Sequence, residues 1–271
     1  MADFLIFDIG SNATKASLVT GSLEFVRDWR VSTKLGRHIR ADGCMDLDAV
    51  RENICAVLSI LHEASPDAVA PGHHCIGTEA VRRSANMADI VDLFARAGLH
   101  LEVLSAAREA ELERIGIMHS GAARALPGRP FLLIDSGGSS TECSLMRADG
   151  SVGYSESFPF GQHRLIDMIH GLASDVHLEM MAALARELLR EPGSHIVAAG
   201  SSCPMYALET LGRHNVRDVE GRRVPARSPV TGDAANAGRV LVDALDACLG
   251  LPVYVSTFGI RHGWIFEHFS G

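Results

Sequence analysis

Apolar and polar positions along the chain follow two patterns, one typical of strands and one typical of helices. Short apolar runs of strand length occur at residues 4–8, 74–78, 100–104, 131–135, 195–199 and 252–255. Longer segments with apolar residues at helical spacing occur at residues 46–62, 90–97, 105–119, 164–170, 176–189, 233–249 and 259–269. Strands that alternate with helices in this way predict an α/β fold.

Two of the apolar strands, residues 4–7 and 131–134, lead into the same kind of sequence. Each is followed by an acid, Asp8 or Asp135, and then by a turn rich in glycine, serine and threonine. Glycine lets a ligand approach the backbone, N–H groups and hydroxyls can bind phosphate oxygens, and the acid can hold a cation or a water. A simple turn after a buried strand has the same composition, but two copies about 125 residues apart favour a repeated device. The pair predicts two half-sites that face one polyphosphate.

The chain that follows the first turn continues as strand rather than as helix. Residues 16–20 and 23–31 have a strand pattern around Gly21 and Ser22. The nucleotide-binding turns of Rossmann and P-loop proteins lead from a strand into a helix. This arrangement of strand, turn and strand therefore excludes the two commonest nucleotide motifs.

Composition places the chain among folded proteins. Its 271 residues are enough for two domains, and 47% hydrophobic with 21% charged residues leaves no room for extensive disorder. The net charge of −8 argues against non-specific binding to nucleic acid or membrane surfaces, and no apolar run approaches the roughly 20 residues that span a bilayer. Six scattered cysteines, in a chain with no signal peptide, indicate reduced thiols and a cytoplasmic protein. We therefore expect neither nucleic-acid nor membrane partners.

A pair of arginines follows the apolar run at residues 74–78. Thr78 is expected to cap a helix whose first turn carries Arg82 and Arg83. Cations are unfavourable at a helix N-terminus. Their placement there predicts an anionic ligand.

Seven short motifs, in order along residues 4–263, resemble those of the exopolyphosphatase and guanosine pentaphosphate phosphatase (Ppx/GppA) family of the actin-like ATPase superfamily. The motifs lie at residues 8–12, 78–86, 105–112, 135–142, 161–165, 199–202 and 258–263. An ordered series over nearly the whole chain is far more specific than either loop alone.

The resemblance implies a fold and an activity. The fold is expected to be α/β, with two ribonuclease-H-like (actin-like ATPase) lobes at residues 1–124 and 125–271 and a cleft between them, the last helix being able to pack back on the first lobe. Family members cleave a terminal phosphate from inorganic polyphosphate or guanosine pentaphosphate with a divalent metal, usually Mg²⁺. The resemblance therefore implies a hydrolase of phosphoanhydrides, and it also implies a homodimer.

The resemblance also assigns roles to individual residues. Glu109 matches the catalytic base, and Glu142 matches a second essential glutamate near the metal and the attacking water. Asp8, Asp135 and Glu142 are expected at the metal, and Arg82 at the phosphates. The expected substrate-binding residues are Gly10, Ser11, Asn12, Lys15, Arg82, Gly137, Gly138, Ser139, Ser140 and Thr141. Hydrolysis of a phosphoanhydride needs an oriented water, a base and cationic relief of phosphoryl charge, which these residue types supply.

Four positions differ from the family pattern. Ala106, Ser139 and Ser201 stand where glycine is usual, and Arg108 replaces an acid. A Cβ at a phosphate-binding turn can force the backbone away from the ligand. Arg108 either suits a changed anionic substrate or pairs with Glu109, which would make the base weaker. Loss of activity is therefore an open alternative.

Three functions stay open at this point. The first is a metal-dependent hydrolase. Because the chain ends soon after the second lobe, without the added helical domain of long family members, we expect it to act on short polyphosphate or a guanosine nucleotide. The second is an ATP-dependent phosphotransferase, since residues 8–15 fit the first phosphate loop of sugar and acetate kinases, although Gly200 and Ser201 replace the adenosine-binding glycine pair. The third is a degenerate member that binds polyphosphate or a nucleotide as a sensor.

Overall fold

The computed structural model describes residues 3–64, 72–126, 128–138, 140–172, 176–189, 194–200 and 202–270. It divides into two compact units, each an α/β structure with its own mixed sheet. Unit 1 comprises Met1–Ile115 and Ile260–Gly271, and unit 2 comprises Gly116–Gly259. The α/β class predicted from the alternation of patterns is confirmed.

The elements follow the predicted order. The strands are β1 (Phe4–Ile9), β2 (Thr14–Val19), β3 (Phe25–Val31), β4 (Gly72–Gly77), β5 (Leu101–Val103), β6 (Phe131–Ser136), β7 (Thr141–Met146), β8 (Val152–Phe158), β9 (His195–Gly200), β10 (Arg223–Val224) and β11 (Val253–Val255). The α-helices are α1 (Leu47–Ala64), α2 (Glu79–Arg83), α3 (Met87–Arg96), α4 (Ala106–Met118), α5 (Gly121–Arg124), α6 (Gln162–Ile169), α7 (Val176–Leu188), α8 (Ser202–Thr210), α9 (Asp233–Leu249) and α10 (Ile260–Phe269). Short 3-10 helices lie at Leu35–His38 and Val216–Val219. None of the helices that the structure describes is long and apolar enough to cross a membrane.

The unit 1 sheet has the strand order β3-β2-β1-β4-β5. The first three strands are antiparallel, and β4 and β5 run parallel to β1. Alternate residues of β1 point to opposite faces of the sheet. Phe7 packs with side chains of α1 and α3, whereas Ile6 packs with side chains of α4 and α10. Burial on both faces fixes the register, which places Asp8 opposite Lys15 and Lys15 opposite Arg30.

The unit 2 sheet repeats this plan with the order β10-β11-β9-β6-β7-β8. Strands β6, β7 and β8 form the antiparallel part, β9 and β11 run parallel to β6, and the two-residue β10 is added at the edge. Leu132 and Ile134 pack with the larger core of this unit, whereas Phe131 and Leu133 face a smaller cluster on the other side of the sheet. The two halves therefore share one strand plan, as the repeated strand and loop pattern predicts.

The chain passes from unit 1 to unit 2 within α4. Ile117, Ala122 and Leu126 are buried against Phe131 and Leu133 of β6, which places them in unit 2. The boundary between the units lies after Ile115. The sequence suggests a boundary after residue 124, which is nine residues later (124 minus 115). Helix α10 belongs to unit 1.

The helix that carries Arg82 differs from the sequence prediction. Helix α2 has five residues, and Arg82 and Arg83 lie in its last turn, where cations are favourable. The Thr78 hydroxyl donates to the Ile9 carbonyl oxygen at 3.3 Å and does not cap the helix. The prediction of two arginines at a helix N-terminus is therefore wrong, and their position on the helix does not by itself call for an anion.

Candidate active site

The first loop, residues 10–13, connects β1 to β2. It closes through a hydrogen bond from the Gly10 N–H to the Ala13 carbonyl oxygen at 3.2 Å. A Cβ on Gly10 would lie 3.0 Å from that oxygen, so this close turn favours glycine. The Ser11 hydroxyl donates to Glu79 Oε2 at 3.3 Å. The predicted phosphate loop is thus a tight turn that α2 helps to hold.

The carbonyl oxygens of the first loop are turned toward the protein. The Gly36 N–H donates to the Ser11 carbonyl oxygen at 2.8 Å, and the Lys34 N–H donates to that of Asn12 at 3.0 Å. Lys34 takes a left-handed backbone conformation with a φ of 51°, which is uncommon for lysine. In a planar trans peptide the N–H points opposite to the C=O, so the N–H groups of Asn12 and Ala13 are directed away from these partners. Such N–H groups are the ends of the peptide that bind anions.

Asp8, the acid near the end of β1, lies among cations. Its side chain is buried, and Lys15 Nζ is 3.8 Å from Asp8 Oδ2. Desolvation lowers the pKa of both Arg30 and Arg261, and the charge of Asp8 acts on both in the opposite sense. A divalent cation would be repelled by these neighbours. The metal role of Asp8 that the resemblance implies stays a prediction, and among the described residues Asp8 belongs to no cluster of three metal-ligating side chains.

Arg82 and Glu109, two predicted site residues on different helices of unit 1, form an ion pair. Arg82 Nη1 lies 2.8 Å from Glu109 Oε2 and donates to the Leu104 carbonyl oxygen, also at 2.8 Å. Both side chains are only partly exposed, which reduces screening by solvent. An arginine partner favours the charged carboxylate, the form that a base requires, and opposes the uptake of a proton. If a phosphate group bound Arg82 in place of Glu109, the Glu109 carboxylate could accept a proton more easily.

Arg108 does not pair with Glu109. Its Nη1 lies 2.9 Å from both Glu111 Oε2 and Glu267 Oε1, and a second guanidinium nitrogen also contacts Glu267. Successive helical residues point about 100° apart, so Arg108 and Glu109 leave α4 in different directions. The alternative in which Arg108 weakens the base is therefore wrong.

Replacing Arg108 by Gln is accordingly expected to leave the rate of phosphate release unchanged. Its ion pairs lie near the surface, so the free energy of unfolding should fall by no more than about 1 kcal/mol. Steady-state rates and thermal unfolding check both points. Arg82→Gln, the matched variant that removes the partner of Glu109, is expected to be slower. If the rate of phosphate release fell more than about tenfold in Arg108→Gln, at unchanged stability, Arg108 would belong to the active site.

Ala106 causes no distortion at the start of α4. It is the first residue of the helix, is exposed, and is not among the described residues with positive φ. The Arg108 N–H donates to Ser105 Oγ at 3.2 Å, so Ser105 caps the N-terminus of the helix. A methyl group is therefore accommodated at this departure from the family pattern. The other two departures at glycine positions, Ser139 and Ser201, lie outside the described residues.

The second loop, residues 137–140, connects β6 to β7 and repeats the closure of the first. The Gly137 N–H donates to the Ser140 carbonyl oxygen at 2.9 Å. Thr141, just after the loop, is buried, and its hydroxyl donates to the Phe160 carbonyl oxygen at 2.7 Å. A hydroxyl has one proton to donate, so the Thr141 hydroxyl donates within the protein, and the substrate-binding role implied by the resemblance stays a prediction.

The start of α6 holds the carbonyl oxygens of the second loop. The Gln162 N–H donates to the Gly137 carbonyl oxygen at 2.9 Å, and the His163 N–H donates to that of Gly138 at 3.1 Å. The motif at residues 161–165 thus has a structural part in the loop. As in the first loop, a carbonyl oxygen bound by the protein, here that of Gly137, directs the adjoining N–H of Gly138 the other way.

Asp135 and Glu142 stand opposite each other on β6 and β7, in the register positions that Asp8 and Lys15 occupy in unit 1. Carboxylate oxygens of the two lie within 4.8 Å of each other. Burial and the charge of Asp135 raise the pKa of Glu142 to about 7, against a hydrogen bond from the Ser157 hydroxyl at 3.0 Å. A divalent cation would relieve this repulsion, so the pair fits the metal role that the resemblance implies.

Gly200 allows β9 to pass close to Asp135. Its φ is 92°, and a Cβ there would lie 2.2 Å from the Ser136 carbonyl oxygen and 2.6 Å from Asp135 Oδ1. Both the conformation and the spacing restrict this position to glycine. In unit 2 Gly200 therefore supports the acidic pair directly, a role that the sequence did not indicate.

Two cationic residues of unit 1 were not predicted. Arg30 lies directly opposite Lys15 on β3, and Arg261 Nε donates to Ser17 Oγ at 3.0 Å. For Arg261 the available signal was its place in the motif at residues 258–263. For Arg30 the strand pattern predicts that successive side chains point to opposite faces of the sheet, but it does not say which face lies beside the first loop.

Comparisons with known proteins agree with this fold. A model of the Ppx/GppA phosphatase family matches residues 15–215, which is 201 of the 271 residues (215 minus 15 plus 1). A solved structure of a PPX-GPPA enzyme from Aquifex aeolicus has 19% sequence identity and a TM-score of 0.73, with 98% of this chain and 99% of that chain covered. An exopolyphosphatase from Cytophaga hutchinsonii has 17% identity and a TM-score of 0.69, with 99% and 98% covered.

A more distant likeness extends beyond phosphatases. The activator of 2-hydroxyisocaproyl-CoA dehydratase from Clostridium difficile, solved with bound ADPNP, has 11% identity and a TM-score of 0.52, with 99% of this chain and 96% of that chain covered. At such identities the solved structures show a shared fold alone, which agrees with the two-lobed, actin-like plan. No curated protein matches this chain.

Proposed function

Because this chain belongs to the Ppx/GppA phosphatase family, we propose that it hydrolyses the terminal phosphoanhydride bond of short inorganic polyphosphate or guanosine pentaphosphate. The observation that carries the proposal is the pair of loops at residues 10–13 and 137–140, which close through the same hydrogen bond and have their carbonyl oxygens bound by the protein. The N–H of Ala13 in the first loop and that of Gly138 in the second thereby point away from these partners and can bind an anion. Either loop is therefore suited to hold a phosphate group of such a substrate.

In unit 2, Asp135 and Glu142 are the residues that would hold Mg²⁺ or another divalent cation. Such a cation supplies charge neutralisation on the transferring phosphoryl group and lowers the pKa of a bound water. Glu142 keeps a share of its proton at neutral pH, since burial and Asp135 raise its pKa to about 7. It must give up that proton to act as a ligand, and the affinity should therefore rise with pH through this value.

In unit 1, Arg82 and Glu109 are assigned to substrate binding and proton transfer. Arg82 lies 2.8 Å from Glu109 and can exchange this partner for a phosphate oxygen, to which a guanidinium binds strongly. Glu109 then accepts the proton of the attacking water as general base. Pairing in the absence of substrate thus holds both side chains ready without an unpaired charge.

Phosphate release tests the proposed reaction. Tripolyphosphate and guanosine pentaphosphate are each incubated with the full chain, with Mg²⁺ and with a chelator. We expect release only with the cation, and the faster substrate identifies the class. No release from either substrate with Mg²⁺ or Mn²⁺ would reject the hydrolase. Tight ATP binding without hydrolysis of polyphosphate would instead favour a phosphotransferase, and binding of polyphosphate or guanosine pentaphosphate without turnover would favour a sensor.

The proposal includes two properties that follow from the family alone. A homodimer is expected, and native mass measurement of the full chain decides it. A cytoplasmic location is expected as well, and fractionation of cells that produce the chain is the direct test. Neither property enters the chemistry assigned above.

A further inference from the structure

Three side chains lie in one row across the unit 2 sheet, beside the second loop. Asp135 is directly opposite Glu142 on β7, and Glu142 is directly opposite Ser157 on β8. Side chains at directly opposite positions of antiparallel strands point to the same face of the sheet. The Ser157 hydroxyl donates to Glu142 Oε1 at 3.0 Å. Ser157 therefore contacts one of the two acids assigned to the cation.

The corresponding row of unit 1 has a different third member. There Asp8 and Lys15 are followed on β3 by Arg30. A cationic side chain in the place of Ser157 would pair with Glu142 and compete with a divalent cation for it. A hydroxyl carries no charge, so it can hold the carboxylate without neutralising it. A serine at this place therefore suits a carboxylate that is kept for a cation.

The Glu142 side chain needs such a hold in the metal-free protein. Carboxylate oxygens of Glu142 and Asp135 lie within 4.8 Å of each other, so the two groups repel each other when both are ionised. The rotatable bonds of a glutamate side chain would let its carboxylate turn away from this repulsion. The hydrogen bond from Ser157 opposes that turn and occupies one lone pair, whereas a carboxylate offers about four. Glu142 can thus accept the hydroxyl proton and still bind a cation.

The neighbouring row on the same face offers a matched comparison. Ser144 and Ser155 lie directly opposite each other, two residues along β7 and β8 from Glu142 and Ser157, and therefore face the same side. Their hydroxyl oxygens are 2.9 Å apart, so these two side chains bind each other. Ser155 and Ser157 share a strand, a face and an exposed position, and of the two it is Ser157 that donates to Glu142.

We propose that Ser157 is a positioning residue for the cation site, and that its hydroxyl fixes the Glu142 carboxylate in the orientation that binds a divalent cation together with Asp135. This inference rests on the proposed function, which assigns the cation to these two acids. Ser157 acts through Glu142 and need not contact the cation, the substrate or the attacking water. Its removal should therefore lower the affinity for the cation and leave the chemical step intact.

Calorimetric titration of the metal-free full chain with Mn²⁺ tests the site apart from turnover. Ser157→Val and Ser157→Thr form a matched pair, because both new side chains are β-branched and suit a strand, whereas only threonine keeps the hydroxyl. The Kd for Mn²⁺ of Ser157→Val is expected to rise about tenfold, the low end of the loss for partners of metal ligands. Ser157→Thr should recover most of this affinity. Equal Kd values for the two variants would overturn the inference.

Ser155→Val is the control on the same strand. It removes a hydroxyl that binds Ser144, so its Kd for Mn²⁺ should stay within about twofold of that of the parent. Thermal unfolding in the presence of a chelator checks that each variant is folded. If Ser155→Val weakened Mn²⁺ binding as much as Ser157→Val does, the effect would come from the strand rather than from the hydrogen bond to Glu142, and the inference would be wrong.

Rates of phosphate release separate positioning from catalysis. At limiting Mg²⁺, Ser157→Val should be slower than the parent, because less of it has the cation bound. At saturating Mg²⁺ its kcat should return to within about twofold of the parent, and its KM for tripolyphosphate should not change. If kcat stayed more than about tenfold low at saturating Mg²⁺, Ser157 would act in the chemical step and the positioning role would be wrong.

The outcomes separate this inference from the proposed hydrolase. If the parent releases phosphate from tripolyphosphate with Mg²⁺ while Ser157→Val binds Mn²⁺ as the parent does, the role of Ser157 is wrong and the hydrolase stands. If the parent binds Mn²⁺ without releasing phosphate and Ser157→Val weakens that binding, the role of Ser157 stands and the hydrolase is wrong. A parent with no measurable affinity for Mn²⁺ overturns the role of Ser157.

Discussion

Replacing Glu109 by Gln is expected to lower kcat for phosphate release by about 10²-fold or more, the usual size of a general-base contribution. Gln keeps the shape of the side chain and can still accept a hydrogen bond from Arg82, which lies 2.8 Å from Glu109 in the parent. It cannot take a proton from the attacking water. KM should change little, because the phosphates are bound by other groups.

The control for Glu109→Gln lies on the same helix. Glu111 is exposed and pairs with Arg108, so Glu111→Gln makes the same change of charge away from Arg82. Its rate should remain within about twofold of the parent. In the pH profile of kcat, the limb that reports a carboxylate base should disappear only in Glu109→Gln. Equal rates for the Glu109 variant and the parent would remove Glu109 as the base.

Most of the fold could be predicted from the local pattern of apolar and polar residues. The strands at residues 4–9 and 131–136 are apolar because both faces of their sheets are buried, and a run of that kind is visible in the sequence itself. The two loops could be paired because each follows an apolar strand and an acid with the same mixture of glycine, serine and threonine. Residue types and their spacing therefore carry the repeated plan of the two units.

The ion-pair partners of individual side chains could not be predicted from such a pattern. Glu109 and Arg82 are 27 residues apart, and Arg108 and Glu267 are 159 residues apart. Neither separation has a period that a strand or helix pattern would reveal. Adjacency along the chain even suggested the wrong partner for Arg108, since neighbouring helical residues do not face each other.

The partners of the two acids before the loops could not be predicted from the sequence either, although these partners lie only seven residues away along the chain. Asp8 and Asp135 occupy corresponding places in sequence, and the resemblance implies the same metal role for both. Their cross-strand partners differ, because Asp8 faces Lys15 and Asp135 faces Glu142. That single difference in partner makes one surrounding cationic and the other acidic, and it depends on strand register rather than on the motif.

Replacing Glu142 by Gln is expected to stabilise the metal-free protein at alkaline pH while impairing catalysis. Burial and Asp135 raise the pKa of Glu142 from 4.5 to about 7 in the folded chain. With a raised pKa, the favourable contribution of this carboxyl is fully present below pH 4.5 and is lost as the pH rises through 7. Gln carries no charge to bury, so at pH 8 its free energy of unfolding should exceed that of the parent by roughly 2 kcal/mol.

Thermal or urea unfolding at pH 4 and pH 8, in the presence of a chelator, measures this effect. The two proteins should differ at pH 8 and converge at pH 4, and Glu179→Gln on the exposed side of α7 should show no such gain. Added Mg²⁺ should stabilise the parent by binding to its folded state and narrow the difference, because the variant lacks one of the two carboxylates. An equal gain from Mg²⁺ in parent and variant would exclude Glu142 as a ligand. A stability cost that appears only without the cation is what a side chain retained for metal binding, rather than for folding, should produce.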